Sequence, residues 1–100
     1  MIHIVTALPA EARPLIAHFR LHDKSTTGGF RIHQGNGIAL VISGPGKVAA
    51  AAATALLASR LTPGTQVAWL NIGIAGHANL ELGQGLLAHR ITDKASGQNW

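Results

Sequence analysis

The 100-residue sequence predicts an α/β fold, a mixed and largely parallel sheet with flanking helices in the order β-α-β-β-α-β-β. Three observations predict it. Short apolar runs of β-forming residues stand at 2–5, 38–42 and 67–72, segments with helical spacing follow Pro9 and Gly46, and glycine- or proline-bearing turns separate them. One hundred residues bound a single domain, spanning 1–100 and built around one core.

Ile2, His3, Ile4 and Val5 open the chain as a strand. Pro9 suits the first turn of a helix, because the N–H it lacks would be unpaired there anyway. Ala12, Leu15, Ile16 and Phe19 then recur at helical spacing and form one apolar face, with Arg13, His18 and Arg20 outside it. Residues 22–29, rich in Ser, Thr and Gly, read as a polar loop. The runs 30–33 and 38–42 flank Asn36-Gly37, which supplies the positive-φ residues of a tight hairpin. The second of these strands is apolar throughout, so it is expected at the centre of the sheet with both faces covered.

Ser43-Gly44-Pro45-Gly46 ends that strand and starts a helix reaching about to Arg60, whose alanine run favours helix and permits close packing. Residues 67–72 read as a further buried strand, broken by Gly73 and Gly76, and residues 85–91 as another after a turn at Leu82-Gly83-Gln84. The polar stretch 92–100 brings no closing element, as expected of a chain that continues elsewhere.

Apolar residues make up 47% of the chain and charged residues 12%, more core-forming material than a solvated domain of this size needs. A missing second half or a homo-oligomer interface would absorb the surplus. The net charge of +4 comes from singly scattered Lys and Arg with only 4% aromatics, which argues against nucleic acid as a partner. With no cysteine, disulfides, Cys-ligated zinc and thiol nucleophiles are excluded from these residues. The longest apolar stretch is too short to span a bilayer and no basic leader precedes the first strand, so a soluble cytoplasmic protein without a membrane partner is expected.

Gly44-Pro45-Gly46-Lys47-Val48-Ala49 matches the dinucleotide pattern G-x-G-x-x-G/A between a strand and a helix, but the next strand ends in Asn71-Ile72 and offers no carboxylate for a ribose. A P-loop is excluded, since Val41 replaces its first Gly and Val48 its Ser or Thr. What remains is a helix N-terminus whose free N–H groups make Gly44 and Gly46 anion-binding candidates, unless the Gly-Pro turn merely starts the helix. Glu11 stands in the first turn after Pro9, where it is either a catalytic acid or a carboxylate favoured by the helix dipole. Gly73-Ile74-Ala75-Gly76 ends a strand with backbone N–H groups a ligand could approach, and a plain turn would use the same residues. His77 follows directly and is either a ligand contact or a plain exposed loop histidine. His18 and His22 have metal-ligand spacing without an intervening Glu and are read as solvated, and His3, His33 and His89 have no evident partner, so no metal site is expected.

Three segments, in order and nearly spanning the chain, resemble the nucleoside phosphorylase superfamily, particularly its methylthioadenosine/adenosylhomocysteine nucleosidase branch. Residues 4–11, ending in Pro9-Ala10-Glu11, look like the family's opening strand and acidic helix start; Ser43-Gly44-Pro45-Gly46-Lys47 followed by Ala50 looks like its S-G-x-G-K-x-x-A segment; Asn71-Ile72-Gly73-Ile74-Ala75-Gly76 with Gly83-Gln84-Gly85 looks like its N-x-G-x-A-G and G-D pair. The resemblance implies cleavage of the N-glycosidic bond of a purine nucleoside or related small molecule, with Glu11 activating water, or with phosphate attacking instead, and with no cofactor. Ile74, Ala75 and Gly76 match residues lying against sugar and base. Ile74 replaces a common Ser and Gln84 a common Asp. The family's ribose-binding Met-Glu pair and its base-protonating acid come from a C-terminal half, so residues 1–100 are expected to be the N-terminal part of an incomplete domain. The alternative is a non-catalytic α/β ligand-binding or assembly module that kept the fold.

Overall fold

The computed structural model describes residues 1–100. Its elements are β1 (Ile2–Thr6), α1 (Pro9–Phe19), β2 (Asp23–Thr27), β3 (Phe30–Gly35), β4 (Ile38–Ile42), α2 (Lys47–Ser59) and β5 (Ala68–Asn71). They form an α/β fold whose five-stranded mixed sheet runs β2-β3-β4-β1-β5, with β1 parallel to both β4 and β5 and the other pairs antiparallel.

Side chains of β1 and β4 alternate between two apolar layers, as the two-residue period of a strand requires. Ile4, Leu40 and Ile42 face α1, meeting Ala12, Leu15, Ile16 and Phe19 and the buried Leu21. Val5, Ala39 and Val41 face α2, meeting Ala53, Leu57 and the β3 residue Ile32. The expected central, two-sided β4 is therefore present. The expected hairpin is present too: Gly35 pairs with Ile38, and Asn36 and Gly37 take φ of 52° and 76°.

Three expectations need correction. Residues 23–27 form an edge strand rather than loop, exposed on both faces, so no apolar alternation marks it; Ser25, Thr26 and Thr27 lend β propensity and Gly28-Gly29 turn it back into β3. The strand at 67–72 is the shorter β5, and it is an exposed edge, with Trp69 at 39% and Leu70 at 44% exposure. Residues 85–91 form no strand, because no neighbouring strand offers them a ladder, and Leu87 is 97% exposed. Beyond them the chain closes only a small hairpin, bridged at Thr92 and Asn99.

Two local features escaped the sequence reading. Pro14 lies inside α1, where it removes the N–H that would bond Ala10 and crowds that carbonyl. Because its side chain is exposed, Pro14→Ala is expected to stabilise the fold by about 1–3 kcal/mol, an interior-proline penalty reduced by the greater freedom of the unfolded chain. Urea unfolding measures this, and a lowered midpoint would contradict it.

His3 is buried on β1, its ring edge-on to Trp69 with centroids 4.6 Å apart, and its Nδ1 has no partner. Burial first, then the positive N-terminus and Arg60, lowers its pKa below the ordinary imidazole value of 6.5. The unfolded chain then binds this proton before the folded one, so stability is held above about pH 6.5 and falls as pH drops toward the folded pKa. His33 shifts in the same direction. The Tm is thus expected to fall between about pH 7.5 and about pH 5.5, and His3→Leu to shrink that fall. Equal falls in both proteins would absolve His3.

Candidate functional site

The three parallel strands end at one rim, and backbone hydrogen bonds stitch together the turns that leave them. Ser43 N donates to Thr6 O at 2.8 Å and Gly44 N to Ala7 O at 2.9 Å, joining the turns after β4 and β1. Ile72 N donates to Val5 O at 3.1 Å, bringing the chain after β5 to the same edge. Ser43 is buried, its hydroxyl donating to Gly44 O at 2.7 Å. Open α/β sheets bind ligands outside such carboxyl ends, where helix N-termini and strand-end loops meet.

Glu11 is the hub of this rim. At the third position of α1 its Oε2 accepts from Ala7 N at 3.1 Å and from Leu8 N at 3.0 Å, a capping contact for N–H groups the helix leaves unpaired. Its Oε1 accepts from Ile74 N at 3.1 Å, sixty-three residues away. The N–H groups of Ile74 and then Leu8 weigh most and hold the carboxyl below its ordinary pKa; desolvation opposes them, and the Ala7 N–H adds a smaller lowering. Glu11 is therefore an anion at neutral pH, with one donor on Oε1 and two on Oε2. A Cβ at Gly73 would stand 3.3 Å from Oε1, so the absence of a side chain there lets the loop close onto the carboxylate.

Among the other site residues read from the sequence, Ile74 joins Glu11 through its backbone while its side chain is exposed. Ala75 and Gly76 instead line a neighbouring cavity of about 290 Å³ with His77, Leu80 and Leu86, and Glu11 does not line it. His77 is occupied within its own loop, its Nδ1 accepting from Asn79 N at 3.0 Å and Leu80 N at 3.2 Å. Gly44 is tied to β1's turn. Gly46, with φ of 97°, is the N-cap of α2, whose first turn has neither an acidic residue nor a side-chain cap. Lys47 beside it pairs with Asp93 at 2.7 Å, which lowers the Asp93 pKa, with Ser96 Oγ as the second donor. That pair pins the 92–99 hairpin to the start of α2, and nothing in the spacing of Lys47 and Asp93 announces it.

His18 stacks edge-on to Phe19, and His22 lies at the opposite rim in a polar hollow with Arg20, Asp23 and Gln34. No three His, Cys, Asp or Glu side chains gather closely enough to hold a metal ion. No helix is long and apolar enough to cross a membrane. The fold and rim thus define an α/β protein with an ionised carboxylate at the carboxyl edge of its parallel strands. No protein-family model matches the chain, and no curated protein matches it.

Proposed function

We propose that the chain is the N-terminal part of a cytoplasmic nucleoside-cleaving domain of the nucleoside phosphorylase type, acting on the N-glycosidic bond of a purine nucleoside or a related molecule. The observation that carries the reading is the Glu11 carboxylate, held ionised where the turns after β1 and β5 meet. An anion there suits a reaction in which positive charge develops on the sugar as the bond to the base breaks. Glu11 takes a proton from the attacking water as its oxygen joins the anomeric carbon, and the bonding pair leaves with the base, which gains a proton from another group. A depressed pKa makes Glu11 a weak base, which fits attack on a sugar whose charge has already formed rather than a neutral one. Phosphate is the other nucleophile the resemblance allows, with Gly44 and Gly46 at the α2 N-terminus as its nearest backbone candidates.

The exposed edge at β5 supports the view that more of the domain lies beyond it, since an apolar edge strand is normally paired or covered. The test is a panel of nucleosides given to the full-length protein with and without phosphate, with detection of free base. Release without phosphate assigns hydrolysis, and release only with phosphate assigns phosphorolysis. No base from any nucleoside under either condition would refute the proposal. One observation favours the non-catalytic alternative: both Glu11 oxygens serve the rim's own backbone and line no cavity. In that reading Glu11 is a latch, and the panel returns nothing.

A further inference from the structure

The amino end of the sheet, opposite the Glu11 rim, carries a hollow of about 470 Å³ lined by Arg20, His22, Asp23, Gln34, Gly35 and Asn36. None of the six is apolar, so the hollow offers nothing to a hydrophobic ligand and suits one that is polar throughout. Arg20 and Asp23 share its wall without pairing. The chain's single ion pair joins Lys47 to Asp93, which leaves the Arg20 guanidinium and the Asp23 carboxylate each without a counter-charge in the protein.

The backbone is shaped around this hollow. Arg20 and Asn36 are the only residues besides glycine with positive φ, at 55° and 52°, and both line it. Asn36 sits in a hairpin turn that favours such a conformation. Arg20 does not: it caps α1 in the left-handed region, where glycine is the usual residue and a side chain is strained. Strain of this kind concentrates at ligand sites, where the side chain is kept for what it binds. A Cβ at Gly35 would stand 2.8 Å from the Arg20 carbonyl oxygen, and Asn36 Nδ2 donates to Phe19 O at 3.0 Å, so the end of α1 and the hairpin are locked together with Arg20 between them.

We infer that this hollow binds a free amino acid with a polar side chain, Arg20 taking its carboxylate and Asp23 its ammonium group. The inference goes beyond the nucleoside reading and does not rest on it. Unpaired opposite charges in one hollow are complementary to a zwitterion, which brings each of them the partner it lacks. A guanidinium receives a carboxylate on two parallel N–H groups, and a carboxylate accepts from the three donors of an ammonium group. A simple anion would set like charge against Asp23, and a simple cation would do so against Arg20. The Gln34 amide, both donor and acceptor, suits a polar side chain on the ligand.

The full chain is to be titrated with L-glutamine and followed by the backbone amide NMR signals of residues 20–23 and 34–36. A dissociation constant of about 1 mM is expected, as suits a hollow open to water, with acetate, methylammonium and L-leucine each bound at least about 10-fold more weakly. Arg20→Gln and Asp23→Asn are each expected to weaken glutamine binding about 10-fold or more, the loss of one charge-assisted contact. Arg20→Gly is expected to lose binding equally while its Tm rises by about 2–5 °C, since glycine takes the left-handed cap without strain. Lost binding in a more stable protein excludes unfolding as its cause. No glutamine binding by wild type, acetate bound as tightly as glutamine, or binding retained in Arg20→Gly or in Asp23→Asn would each overturn the inference.

Discussion

Leu40→Ala is expected to cost about 2–5 kcal/mol of folding free energy and to lower Tm by about 10–30 °C. Leu40 has 0% exposure on the middle strand of the sheet and packs in the α1 layer with Ile4, Ala12, Leu21 and Ile42. The removed methyl groups lose their transfer free energy, and the cavity forfeits contacts that a rigid sheet cannot close up to recover. A 100-residue domain holds about 5–15 kcal/mol in total, so the variant sits near the limit of folding. The same change at Leu70, 44% exposed on the edge strand β5, is expected to cost about 1 kcal/mol or less. Urea and thermal unfolding of the two variants compare the centre of the sheet with its edge. Equal losses at both positions would mean that β5 is not the free edge described above.

That contrast also marks how far the sequence can be read. Strands and helices with an apolar period were legible: residues 38–42 announce a strand covered on both faces, Asn36-Gly37 announces its hairpin, and Ala12, Leu15, Ile16 and Phe19 announce the inner face of α1. The errors fall where local pattern and neighbourhood part company. Residues 23–27 carry no apolar alternation because water covers both faces, and only the ladder to β3 makes them a strand. Residues 85–91 have the composition of a strand and no neighbour to pair with, so a propensity that is correct locally goes unused. The apolar letters of residues 67–72 fit a buried strand equally well, and burial depends on what lies beyond β5 rather than on the strand itself.

The candidate site shows the same division. Glu11 was legible because it follows Pro9 in a first turn at a strand's carboxyl end. Its bond to Ile74 was not, since it depends on β5 lying beside β1 and on Gly73 leaving room for the carboxylate. The proximity of Gly44 to the same rim followed from the strand order, which no periodicity reports. Ala75 and Gly76 read as members of one site with Glu11, whereas they line a separate hollow that Glu11 does not reach.

Glu11→Gln separates the two roles this carboxylate can have. On the proposed reading, cleavage is expected to fall by about 10²–10⁴-fold, the usual contribution of a positioned general base. The amide cannot reproduce the native pattern either. If its oxygen accepts from Ala7 and Leu8, its NH₂ group faces the N–H of Ile74, and the loop after β5 loses its latch. The pH profile isolates that structural part. A carboxyl whose folded pKa is depressed contributes stability that is complete above its ordinary value of 4.5 and is lost as pH falls through the folded pKa. Wild type is therefore expected to lose stability more steeply than Glu11→Gln on acidification below about pH 4.5, with Tm against pH as the measurement. A shallower acid profile together with lost cleavage assigns both roles to one residue, whereas a shallower profile with turnover unchanged leaves Glu11 as a latch and removes it from the chemistry.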